Sequence, residues 1–186
     1  MGVNLTSHAD NHDLDKLARW NGDLSSWQDI AFPVYALFLV SPEDKTAHDV
    51  FRKYRDSFES RGAGFGNLVI FGQHGISTTV HGILEGLGLD LGNLPLLALF
   101  SNPTGRTVHT LSLPAGAPPA GAPEPSSTRT AESEREPWRD VLKRLEDAVD
   151  GQPEHPDLEF LNQGASLRTW REPVVELVTR VLTEIS

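Results

Sequence analysis

Leu94-Pro95-Leu96-Leu97-Ala98-Leu99-Phe100, followed by Ser101-Asn102-Pro103-Thr104-Gly105 and then Arg106-Thr107-Val108-His109-Thr110-Leu111-Ser112-Leu113, reads as strand, tight turn, strand. Pro95 cannot donate to a ladder and therefore suits the first position of a strand. Pro103 and Gly105 supply the fixed and the permissive φ that a tight turn needs. The apolar residues of 94–100 are continuous and do not alternate, as expected of a strand covered on both faces.

Working back from this hairpin, Phe32 to Val40 is a second continuous apolar run and Asn67 to Phe71 a third. Between them lies a helical pattern, with Ala47, Val50, Phe51, Tyr54 and Phe58 on one stripe and charges elsewhere. Ser41-Pro42-Glu43-Asp44 reads as its start: a serine cap, a proline at the first helical position and acids that complement the helix dipole. After the third run, Gly72-Gln73-His74-Gly75 turns the chain into another helix carrying Ile76, Val80, Ile83, Leu84 and Leu87, which we expect to stop near Gly88. The pattern is β(34–40), α(43–61), β(67–72), α(76–88), β(94–100), β(106–113). Its first three elements form a βαβ unit with a right-handed crossover.

The flanks differ. Residues 1–31 form a polar N-terminal helical extension, with short amphipathic pieces around Leu14-Leu17-Trp20 and Leu24-Trp27-Ile30. Residues 114–137 are rich in proline and hold no Val, Ile, Leu, Met or aromatic side chain, the composition of a flexible linker. Residues 138–186 read as two amphipathic helices packing on the 32–113 core. The first runs from Pro137 to Gly151 and is lined by Trp138, Val141, Leu142, Leu145 and Val149. The second is lined by Leu167, Trp170, Val174, Leu177, Val178, Val181 and Ile185, its start marked either by Thr169 with Glu172 or by Pro173.

The hairpin and the element order over about 34–113, with a late helix, resemble the thioredoxin fold, whose hairpin opens with a cis-proline. By that resemblance Leu94–Pro95 is cis and pairs into 106–113. The family's redox cysteines would fall on Ser41-Pro42-Glu43-Asp44. The chain has no cysteine, so thiol–disulfide chemistry does not carry over. The family's use of the backbone before the cis-proline to hold extended peptides needs no thiol. It implies a binding rim of Ser41, Glu43, Asp44, Leu94 and Pro95. Ala36 to Lys45 is also similar to the opening strand of TIR domains, which have a parallel sheet and sometimes cleave NAD. In that reading Glu85 is the candidate catalytic glutamate, although a hairpin after Phe100 departs from the TIR pattern.

Other constellations have plainer readings. Ser77, His81 and Glu85 share a helical stripe, but groups stacked along one helix point outward in parallel and rarely converge on one reacting atom. Gly72, Gly75 and Ser77 stand where a strand turns into a helix N-terminus, a geometry that binds anions through free N–H groups; glycines serving only the turn are the alternative. No Gly-Lys-Ser/Thr ends the turn. The seven histidines are dispersed along the chain, so no metal is expected, and no cofactor is implied. Trp20, Trp27, Trp138 and Trp170 at helical spacing read as docking anchors.

With 26 acidic against 16 basic residues the formal charge is −10, which disfavours nucleic-acid backbones and anionic membrane surfaces. No apolar run approaches the roughly 20 residues of a membrane span, and Met1 to Asp15 lacks the features of a signal peptide. Asn4-Leu5-Thr6 fits a glycosylation sequon, but nothing else points to secretion. These features, with an Ala/Gly/Pro/Arg/Asp bias, point to a cytoplasmic bacterial protein. The leading expectation is an α/β, thioredoxin-like βαβ unit plus hairpin, acting as a non-catalytic module that binds a protein or extended peptide. The competing one is a TIR-like or nucleotide-directed hydrolase using Glu85.

Overall fold

A computed structural model describes residues 8–26, 33–60, 67–113, 137–151, 158–163 and 165–185. The expected linker falls almost wholly outside them, as do Trp27 and Ile30.

Among the described residues the strands form one mixed five-stranded sheet. The elements are α1 (His8–Ser25), β1 (Tyr35–Leu39), α2 (Lys45–Glu59), β2 (Leu68–Phe71), α3 (Thr78–Leu87), β3 (Leu96–Phe100), β4 (Thr107–Ser112), α4 (Pro137–Gly151), β5 (Ser166–Thr169) and α5 (Val174–Ile185). In space the strands run β2-β1-β3-β4-β5. β1 and β2 are parallel, as a helical crossover requires, and every other neighbouring pair is antiparallel.

Helices cover both faces. Ala36, Phe38, Leu68, Ile70, Leu97 and Leu99 point into one core with α2 and α4, whereas Tyr35, Leu37, Leu39, Val69, Phe71, Ala98 and Phe100 point into the other with α1, α3 and α5. This double burial is why the strands read as unbroken apolar runs. Trp20, Trp138 and Trp170 are all buried in these cores. α3 ends as its sequence suggests: Gly88 adopts φ +68° and its N–H returns to the Leu84 and Glu85 carbonyls.

Three local expectations are corrected. Within the N-terminal extension, residues 8–25 form one continuous helix that carries Leu14, Leu17, Trp20 and Leu24 together, with Ala9, Leu17, Trp20 and Leu24 on its buried stripe. Ser41 does not cap α2. Asp44 stands at the cap position, Pro42 and Glu43 form a turn before it, and the Ser41 backbone N–H and hydroxyl both donate to Asp44 Oδ2, at 2.8 and 3.0 Å. Finally, Leu167, expected on the last helix, and Thr169, one of its two expected starts, lie in an edge strand paired with β4, with Leu167 opposite His109 and exposed to solvent; the other expected start, Pro173, stands directly before α5. Pro173 explains the break: a proline disfavours helical backbone in the residue before it, so α5 begins only at Val174.

Candidate functional site

The residues expected at the rim follow β1 and precede β3. Leu39 lies opposite Leu96 in the antiparallel register, so Ser41, Glu43 and Asp44 leave the sheet at the end where Leu94 and Pro95 enter it. The Leu94–Pro95 peptide is cis. Pro95 is buried and its carbonyl accepts from the Leu113 N–H at 3.0 Å, which ties the entry of β3 to the exit of β4. Leu94 is half-buried and donates to the Leu91 carbonyl at 3.2 Å; among the described residues its own carbonyl accepts no hydrogen bond. Glu43 is exposed, while Asp44 is held by Ser41. Ser41 and Asp44 are thus joined by hydrogen bonds, Leu94 and Pro95 stand at the entry of β3, and none of the five residues is a thiol.

The Gly72–Ser77 turn lies next to this rim, since the Val40 N–H donates to the Phe71 carbonyl at 3.0 Å. Gly72 has φ +93°, and a Cβ there would sit 1.8 Å from the Val40 carbonyl oxygen, so only glycine passes. Of the three residues expected to form an anion site, Gly72 and Ser77 donate to a carboxylate of the chain itself, and the Gly75 N–H donates to the Gly72 carbonyl at 3.3 Å. Asp13 Oδ2 accepts from the Gly72 N–H at 3.0 Å and from the Ser77 hydroxyl at 2.6 Å. Asp10 Oδ1 accepts from the Thr78 N–H and hydroxyl at 2.7 and 2.9 Å. An anionic ligand at the Gly72 and Ser77 donors would have to displace Asp13, so these two residues anchor α1.

Asp13 is 1% exposed and interrupts an otherwise apolar stripe, Ala9, Leu17, Trp20 and Leu24. A polar residue on a buried face needs partners inside, and this was the signal available in the sequence. The histidines are less scattered in space than along the chain. His8, His12 and His74 meet with ring centroids 5.4 Å apart for His8–His74 and 4.1 Å for His12–His74. Burial, then Lys16 and His74, push the His12 imidazole below its ordinary range. Among the described residues no group of three or more His, Asp or Glu side chains is placed to hold a metal ion.

The helical stripe of α3 does not converge. Ser77 is buried as the N-cap, accepting from the Val80 N–H at 3.2 Å while it donates to Asp13. His81 and Glu85 are exposed, and Glu85 Oε1 accepts from Arg171 Nη1 at 3.5 Å. No protein-family model, curated protein or solved structure matches this chain.

Proposed function

We propose that the chain is a redox-inactive, thioredoxin-like accessory module that holds an extended segment of a protein partner at the rim of Ser41, Glu43, Asp44, Leu94 and Pro95. The observation that carries this reading is the Leu94 carbonyl, which among the described residues accepts no hydrogen bond. An unpaired main-chain acceptor next to a strand entry is what an incoming extended chain uses first. The strand order β2-β1-β3-β4 and its mixture of parallel and antiparallel pairs support the thioredoxin-like reading. α1 and β5 are additions to that pattern. The absence of cysteine removes thiol exchange, and the exposed Glu43 carboxylate favours a neutral or basic segment over an acidic one. The formal charge of −10 argues against nucleic acid as the partner. The cytoplasm is the compartment we assign to it.

Panning a display library of linear peptides against the whole chain tests the reading. Selected sequences should bind the wild type and lose affinity with Glu43→Lys, while thermal stability is unchanged. Failure to select any linear peptide, or peptides that bind Glu43→Lys equally well, would overturn it. Release of nicotinamide from NAD that Glu85→Ala abolishes would replace it with the hydrolase reading.

A further inference from the structure

β2 is an edge strand of the sheet, and a cavity of about 410 Å³ opens beside it between α1 and α2. This size lies within the usual range of small-molecule sites. Its charge runs against the rest of the chain. In a protein of formal charge −10 the cavity is lined by Lys16, Arg19 and Arg55, and among the described residues Asp23 is the one carboxylate in its lining. Trp20, Phe51 and Val69 contribute an apolar wall.

The donors here are also under-used. Among the described residues Lys16 Nζ bonds to neutral oxygens alone, the Ile70 carbonyl at 2.9 Å and Gln73 Oε1 at 2.7 Å. Its charge is therefore left without a bonded carboxylate. Burial lowers its pKa, with the nearby Asp13 pulling the other way. Arg55 Nε is buried with no hydrogen-bond partner, the nearest carboxylate, Asp56, lying 3.9 Å away. Trp20 Nε1 is likewise buried and unpartnered. Unmet buried donors carry a desolvation cost that an oxygen-rich ligand would relieve. Three cationic side chains and two unmet N–H groups around one cavity specify an acceptor with negative charge, and the apolar wall specifies what that charge is attached to.

We propose that this cavity binds a small oxyanion carried on a flat apolar body, with Lys16, Arg19 and Arg55 meeting the anionic group and Trp20, Phe51 and Val69 meeting the body. Aromatic carboxylates and aromatic phosphomonoesters share this chemistry. The site is separate from the peptide rim and stands whether or not that rim functions.

Isothermal titration of the whole chain with phenyl phosphate, phenylacetate, phenylacetamide and inorganic phosphate tests it. A phenyl anion should saturate in the millimolar range or below, whereas the neutral amide should not. Tighter phenyl phosphate assigns the phosphoryl source, and tighter phenylacetate the carboxylate source. Inorganic phosphate alone should bind more weakly than phenyl phosphate, because it leaves the apolar wall uncovered. Arg19→Gln and Arg55→Gln should each weaken the anion about tenfold, the loss expected for one charged hydrogen bond. Glu43→Lys should leave this binding unchanged. The proposal fails if neither phenyl anion saturates, if the amide binds as well, or if both arginine variants bind like the wild type. Arg19 is exposed, so Arg19→Gln keeps the test valid even if another variant folds poorly.

Discussion

Replacing Asp13 by alanine should unfasten α1 from the sheet. The carboxylate is 1% exposed and accepts two hydrogen bonds, from the Gly72 N–H and the Ser77 hydroxyl. Hydrogen bonds to a charged group contribute about 1.5–3 kcal/mol each. Removing the acceptor leaves both donors buried, although Ser77 keeps its bond from the Val80 N–H and a water can enter the space left behind. A net loss of roughly 3–5 kcal/mol follows. For a chain of 186 residues that is a fall in melting temperature on the order of 10 °C, at a few degrees per kcal/mol. Asp13→Asn retains an acceptor oxygen but not the charge, so its loss should be about half as large. Chemical denaturation should show a lower midpoint with an unchanged slope, and amide exchange should accelerate first at Gly72. Because Asp13→Ala empties an anion-shaped cradle, added sulfate should stabilise the variant more than the wild type by linkage. An Asp13→Ala stability within about 0.5 kcal/mol of the wild type, the level of an ordinary surface change, would refute the anchoring role.

Gly72→Ala should be the least tolerated glycine change, costing roughly 3 kcal/mol or more, because the new Cβ meets the Val40 carbonyl on a backbone that cannot shift without breaking the β1–β2 pairing; soluble expression with near-wild-type melting would contradict this. Trp170→Ala should cost about 3–5 kcal/mol, since the ring is 1% exposed and packs edge-on against Phe100; an unchanged denaturation midpoint would show that α5 is not docked this way. His12 and His109 contribute to the pH response. Burial holds His12 and His109 below their ordinary value of 6.5, with Lys16 and His74 adding to the effect on His12 and the Asn162 bond opposing it on His109. The unfolded chain therefore takes up these protons first. This contribution is complete above pH 6.5 and is lost as the pH falls from there through the lower folded-state values. Urea midpoints should drop over that window, less steeply in His12→Gln and His109→Gln; a midpoint that rises on acidification would show the sign to be wrong.

The central strands were legible because their burial is two-sided. Ala36 and Phe38 face one core while Tyr35, Leu37 and Leu39 face the other, so apolar continuity alone identified β1. Pro95 and Gly88 were legible for the same kind of reason, each meeting a backbone demand that few residues satisfy. β5 was not. An exposed edge strand carries no core-facing alternation, and Leu167, Trp170 and Val174 fall at helical spacing by coincidence. The histidine trio was hidden too, because His74 reaches His8 and His12 only once α1 has docked. Asp13 was readable in principle as the polar member of a buried stripe. Centring that stripe on Leu14 instead of on Ala9 and Asp13 concealed it, and with it the occupant of the Gly72–Ser77 turn.

We propose that the rim residues after β1 and before β3 receive an extended chain. Backbone amide chemical-shift mapping of the isotope-labelled protein, titrated with a display-selected peptide, tests this most directly. Saturable shifts concentrated at 41–44 and 94–97, and lost in Glu43→Lys, are the predicted result. Shifts confined to α4, to α5 or to the α1–β2 edge would contradict the claim and move the interaction surface there.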